Sequence, residues 1–178
     1  MHAVTLPAFN TSMVTRALSA AAGFVIIAIV TWACWVWLRG RRHPLLGGVI
    51  ALGPAAIVVT SLGVPLAATR LWLDGIQVDQ GFRTQFLSRM TETASHADMS
   101  YVDLPTFYPM GWFFLGGRLA NVLGMPGWEV YQPWALTSLA AAAAALTPIW
   151  HKLTGSLPLA AAIAMVTTAI VLTEVPDE

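Results

Sequence analysis

Five carboxylates and three guanidinium groups fall between Arg70 and Pro105: Asp74, Asp79, Glu92, Asp98 and Asp103, set against Arg70, Arg83 and Arg89. A carboxylate in such a segment takes up a proton, holds a divalent cation or stays solvated, and a guanidinium forks onto phosphate oxygens in a fixed geometry. Asp79 and Arg83 stand four residues apart and so share a helix face. The plainest outcome there is an exposed ion pair contributing a few tenths of a kcal/mol. Asp74 precedes Gly75, and that pair also makes a turn. A second acidic group, Glu174, Asp177 and Glu178, surrounds Pro176 and supplies the candidates for a divalent cation, with solvation as the alternative. No metal site can be completed from this chain alone. Arg118 is a second phosphate candidate, set against snorkelling of its head to the membrane surface. Trp72, Tyr108, Trp112, Trp128, Tyr131 and Trp134 most simply form interfacial belts, and Trp112 or Trp128 could instead stack on a sugar.

These residues must be held by a chain that is 57% hydrophobic and only 10% charged. A water-soluble surface usually needs about a quarter charged residues, so the composition points to a membrane protein. Nine basic residues balance nine acidic ones, which leaves no basic excess to attract nucleic acid. The single cysteine, Cys34, lies in an apolar run and can form neither an internal disulfide nor a CxxC metal site. Neither a P-loop nor a GxGxxG element is present, so nucleotide hydrolysis and nicotinamide chemistry find no support.

Residues 17–38 form a charge-free run long enough to cross a hydrocarbon core of about 30 Å. The cluster Arg39-Gly40-Arg41-Arg42-His43 follows, and short basic loops stay cytoplasmic. The first span therefore starts outside, and 45–69 crosses back outward, bent at Pro54, Gly63 and Pro65. Met1 to Arg16 lacks a basic n-region, so a signal anchor is expected rather than a removed signal peptide. Residues 107–123 are barely long enough to span and carry Arg118, whose insertion at the bilayer centre costs about 2.5 to 3.5 kcal/mol; an interfacial helix avoids that cost. Spans at 133–150 and 155–173 then place His151 and Lys152 inside.

The expected fold is all-α: a polytopic membrane protein, multi-pass in the cell membrane, with about four transmembrane helices. Residues 1–178 are read as one membrane region, with an external loop and juxtamembrane amphipathic helices over 70–132 and the acidic loop 70–105 on the extracytoplasmic side. Val78, Phe82, Phe86 and Met90 recur every fourth residue, the pattern of a helix lying on the bilayer surface. The two acidic segments then meet the same external face, where a lipid-linked substrate would present its head group. The sequence stops without an anchor or amphipathic tail, and is read as an N-terminal part whose partner is the remainder of its own chain beyond Glu178. A transporter would place ionisable groups near the midplane of its spans, and the four spans contain none. A plain anchor would not need the acidic loop.

The runs D-G-I-Q-V-D-Q-G-F-R (Asp74 to Arg83), T-F-Y-P-M-G-W-F-F-L-G-G-R-L-A-N-V-L-G (Thr106 to Gly124) and W-A-L-T-S-L-A (Trp134 to Ala140), followed by H-K-L-T-G, resemble the start of a GT-C glycosyltransferase. The resemblance covers roughly 45–178. Within that fold, Asp74 to Asn121 and the terminal T-E-V-P-D-E are most similar to the actinobacterial galactan 5-O-arabinofuranosyltransferase family. It implies an inverting sugar transfer from a polyprenyl-phosphate donor, decaprenyl-phosphoryl arabinofuranose, to a galactan acceptor. It also implies Asp79 as the base that takes the acceptor proton, with Asp74 in reserve. Arg83 and Arg118 could help bind donor phosphate, a role that rests on guanidinium chemistry more than on the resemblance; Tyr108 and Trp112 would contact substrate, and Glu174, Asp177 and Glu178 would form a second acidic loop for a cation or the acceptor. Another GT-C transferase, such as a mannosyltransferase, or a non-enzymatic transport or assembly subunit, remains the alternative. Alone, this piece is expected to be inactive.

Overall fold

A computed structural model describes residues 13–69, 78–98, 100–101 and 103–173. They form helices joined by short turns: α1 (Val14–Leu38), α2 (Pro44–Leu66), α3 (Val78–Glu92), α4 (Gly111–Leu123), α5 (Gly127–Thr154) and α6 (Leu157–Thr173). No strand occurs among the described residues, where an isolated bridge pairs Ala97 with Pro105, so the all-α expectation holds for them. The chain divides into two compact units, 1–69 with 136–178, and 70–135.

In the first unit α1 stops at Gly40, whose φ of +88° reverses the chain. The Arg39 guanidinium folds back over the Trp35 ring at 4.3 Å, a cation–π contact. Pro44 opens α2 at a position where its missing N–H costs nothing, and His43 Nδ1 accepts from the Leu45 N–H at 3.3 Å. Further along, Val59–Gly63 widen into a π turn. Pro65 has no N–H to give the Ser61 carbonyl four residues back. The Ser19 hydroxyl of α1 reaches across instead, donating to the Thr60 carbonyl at 2.9 Å and the Ser61 carbonyl at 3.3 Å. Ser19→Ala should leave both carbonyls without that donor and destabilise this unit by about 1 kcal/mol. Thermal unfolding of the chain in detergent reads that loss directly.

Ala33, Ile50 and Ala161 are fully buried together, flanked by Cys34, Trp37, Leu46 and Leu157, so α1, α2 and α6 meet through small side chains. A Cβ at Gly53 would stand 2.9 Å from Val30 Cγ2. The outward faces are bare and apolar: Phe24 is 73% exposed, Trp32 58% and Leu52 58%. Burying each such side chain is worth about 1.5 to 3 kcal/mol, so a lipid environment, not water, suits this surface.

Among the described residues two helices, α1 and α2, are both long and apolar enough to cross a membrane, where about four spans were expected from the sequence. The readings at 133–150 and 155–173 overlap α5 and α6. α5 has the length, with 28 residues, but Gln132, Thr137, Ser138, Thr147, His151 and Lys152 dilute its apolar character. α6 is apolar but, at 17 residues, rises only about 26 Å.

Candidate functional site

The second unit is built where α4 lies against the C-terminal half of α3. Its core is Phe86, Leu87 and Met90 of α3, Phe113 of α4 and Tyr131 of α5, with Met110, Trp112, Phe114 and Trp134 packed around them. The apolar stripe on α3 is thus covered by its own chain from Phe86 to Met90, and Val78 alone of that series is left bare, 90% exposed. Lipid was expected against this stripe. The difference arises because α4 offers two consecutive glycines, Gly116 and Gly117, that let it approach α3 closely enough to cover the stripe. A Cβ on Gly117 would fall 2.5 Å from the Met90 carbonyl carbon. The bare apolar face of this unit belongs to α4 instead, at Leu115, Leu119 and Val122, one side of a helix.

The same close approach fixes Arg118. Its Nε donates to the Met90 carbonyl at 3.0 Å, and its Nη2 donates to the Met90 carbonyl and, at 2.6 Å, to the Thr91 carbonyl. Asn121 Nδ2 adds a bond to the Thr91 carbonyl at 3.1 Å. These carbonyls are among the last of α3, which lack intrahelical donors and carry the negative end of the helix dipole. Arg118, expected at substrate phosphate, therefore caps a helix, which also explains how a charge sits in so apolar a segment. Replacing it by Met should cost about 1 to 3 kcal/mol of unit stability, seen as a lower melting midpoint in detergent.

Asp79, Arg83 and Tyr108 come together at the other end of α3. Asp79 is exposed in the first helical turn. One turn on, the neighbouring Tyr108 hydroxyl raises the basicity of Arg83 above the ordinary arginine value, against a lowering by burial, with Tyr131 and Asp79 adding smaller contributions. Burial pushes the Tyr131 phenol up, while the nearby positive charge of Arg83 pulls it down.

Both tyrosines are held by rings. Tyr108 meets Phe82 edge-on at 5.2 Å, Phe86 at 5.8 Å and Phe113 at 5.7 Å. Tyr131 stands perpendicular to Trp112 at 5.8 Å. Trp112, expected as a substrate contact, also packs on Phe113 and Trp134, and its carbonyl accepts from Trp134 Nε1 at 3.1 Å. The loop delivering Tyr108 is pinned by Arg89 Nη1 donating to the Asp98 carbonyl at 2.7 Å, and by Asp98 Oδ1 accepting from the Ser100 and Tyr101 N–H groups. Asp74, Glu174, Asp177 and Glu178 lie outside the described residues. Among the described residues no three potential ligands gather for a metal ion. The sequence placed Tyr131 only in an interfacial belt, and nothing in its spacing signals that it packs into the core of this unit with Phe86, Leu87, Met90 and Phe113.

The described residues are all-helical, with two helices apolar and long enough to cross a membrane and a second compact unit that exposes a carboxylate at Asp79 and a guanidinium at Arg83. The chain belongs to the arabinofuranosyltransferase N-terminal family, whose model matches residues 1–178. It is 51% identical to a galactan 5-O-arabinofuranosyltransferase of Corynebacterium glutamicum over 94% of this chain and 28% of that protein. The namesake of Mycobacterium tuberculosis is 44% identical over 84% of the chain and 23% of that protein, and that of Mycolicibacterium smegmatis 46% over 83% and 23%. The chain thus spans about a quarter of the length of the curated relatives it matches.

Proposed function

We propose that the protein of which this chain forms part transfers arabinofuranose from decaprenyl-phosphoryl arabinofuranose to a hydroxyl of galactan, with inversion, in cell-wall arabinogalactan synthesis. The observation that carries this reading is the 51% identity to a galactan 5-O-arabinofuranosyltransferase through the whole region containing Asp79, Arg83 and Tyr108. In one displacement the acceptor oxygen attacks the anomeric carbon and its proton passes to the Asp79 carboxylate. The bond from that carbon to the phosphate oxygen breaks, and the electron pair stays on the departing polyprenyl phosphate. Arg83 steadies that developing charge, and the exposure of both groups leaves them open to substrate. Asp74 is the reserve base, and Glu174, Asp177 and Glu178 form the second acidic loop, toward acceptor or a divalent cation. Arg118 is left out of the phosphate role because its donors face the α3 carbonyls.

The basic turn at Arg39–His43 sits in the cytoplasm, and the second unit sits on the extracytoplasmic face with Leu115, Leu119 and Val122 against lipid or the remainder of the chain. α5 and α6 supply the third and fourth crossings. Membranes holding the full-length protein, given labelled decaprenyl-phosphoryl arabinofuranose and a short galactan oligomer, are expected to lengthen the oligomer by labelled arabinose. Transfer from a polyprenyl-phosphate mannose and none from the arabinose donor would overturn the assignment of sugar.

A further inference from the structure

On the side of α3 turned away from Phe86 and Met90 an open cleft of about 490 Å³ runs along the helix, lined by Gly81, Gln85, Ser88, Arg89 and Glu92 and bounded by Trp128 of α5. Steps of four, three and four residues from Gly81 through Gln85 and Ser88 to Glu92 keep these positions on one helix face. Glycine again sets the approach of the second wall. A Cβ on Gly127 would fall 2.5 Å from Ser88 Cα and 2.6 Å from Thr91 Oγ1, so the chain lies directly on α3 there and delivers the next residue, Trp128, to the cleft. Trp112 and Trp134 pack on the core of this unit, whereas Trp128 stands outside that core with 38% of its surface exposed. Gln85 and Glu92 are exposed and Ser88 is half-buried, so an indole lies beside a carboxamide, a hydroxyl and a carboxylate that are open to a ligand. One cation, Arg89, and one anion, Glu92, leave the lining without net charge, and Arg89 already donates Nη1 to the Asp98 carbonyl at 2.7 Å. The cleft therefore suits a neutral ligand better than a phosphate. A sugar ring has an apolar C–H face for the indole and a rim of hydroxyls for groups that donate and accept. The volume lies in the range of about 300 to 1,000 Å³ usual for ligand sites.

We infer that this cleft is a remote subsite for the galactan acceptor, with Trp128 as the stacking platform and Gln85 and Glu92 as partners of sugar hydroxyls; this rests on the transferase reading above. By helix spacing Asp79 and Arg83 project from the opposite side of α3, and Glu92 lies about 20 Å along the axis from Asp79. The sugars seated in the cleft are therefore not the one that reacts. Gly81 stands two residues from Asp79, so the near end of the cleft opens in the first turn of α3, where a chain lying along the helix passes on to the base. Binding gathered so far from the reacting hydroxyl is available to a long acceptor and denied to a short one.

The test compares a short galactan oligomer with one several times longer, using the full-length protein in membranes. Wild type should prefer the long acceptor in kcat/KM, and Trp128→Ala should cut that preference about 10-fold through the acceptor KM, with kcat and the donor KM within about 2-fold. Trp128→Tyr keeps a ring and should keep most of the preference. Gln85→Ala, at an exposed position outside the core, should lose about 2- to 5-fold of it without a change in folding. A wild type with no preference for length, a Trp128→Ala enzyme that keeps it, or equal losses on both acceptors overturns the subsite. Calorimetric titration of the long oligomer into the detergent-solubilised protein without donor separates this from the chemistry. Asp79→Asn should bind the oligomer as wild type does, and Trp128→Ala about 10-fold more weakly. Binding that depends on Trp128 in a protein that transfers no arabinose overturns the transferase reading and leaves the sugar cleft standing; transfer without such binding does the reverse.

Discussion

Asp79→Asn in the full-length protein is expected to lose about 10²- to 10⁴-fold in kcat for arabinose transfer while its KM for the lipid donor barely moves. Asparagine has the shape of aspartate and can still accept a hydrogen bond from the acceptor hydroxyl, but it cannot carry the proton away. The substitution is also mild for folding. Asp79 is exposed in the first turn of α3, and the hydrophobic core of its unit begins two turns further on at Phe86, so an effect on stability of about 0.5 kcal/mol at most is expected. Equal expression with wild-type turnover would send the search for the base to Asp74 or to Glu174, Asp177 and Glu178.

Gly117→Ala is expected to be the most damaging single methyl in the second unit. The added carbon would lie 2.5 Å from both the carbonyl carbon and Cβ of Met90 and 2.8 Å from the Met90 carbonyl oxygen. Backbone cannot swing aside as a side-chain tip can, so α4 must back away from α3. That motion would open the contact over Leu87 and Met90 and draw Arg118 out of reach of the carbonyls it caps. Overpacking of this kind costs about 1 to 3 kcal/mol, and the weakened cap adds to it, so the midpoint of thermal unfolding in detergent should fall by several degrees. Gly111→Ala, on the same helix but with nothing within 4 Å of the added carbon, is the control and should be neutral or slightly stabilising. Equal midpoints for the two variants would mean that α3 and α4 are not in the close contact described.

The helical class of the described residues and the two helices long and apolar enough to cross a membrane were legible because both depend on local composition: a run such as 17–38 is apolar whatever surrounds it. Asp79 and Arg83 were read as sharing a helix face, and helix periodicity says nothing about a residue such as Tyr108 that approaches from a loop and packs into the aromatic cluster around Phe86 and Phe113. The stripe from Phe82 to Met90 was read correctly as a face and assigned to lipid, since amphipathicity is identical whether the partner is a bilayer or another helix. The decisive signal, the Gly116–Gly117 pair twenty-seven residues beyond Met90, is visible in the sequence only to a reader who already knows that α3 and α4 meet. Arg118 shows the same asymmetry: its charge is easy to see in the sequence and the helix end whose carbonyls receive it is not.

The widened turn at Val59–Gly63 bears on how chains of this family can differ in length. Each i→i+5 ring encloses one residue more than an α-helical ring, so α2 holds a surplus residue between Pro54 and Pro65 and stores it within the helix rather than in a loop. A related chain with one residue fewer in that stretch can close the turn into regular α-helix without moving either end, while the proline still leaves a carbonyl four residues back for the hydroxyl at position 19. Single-residue gaps in this part of an alignment should therefore be tolerated where that serine is kept, because length and hydrogen bonding are adjusted at separate points of the same helix.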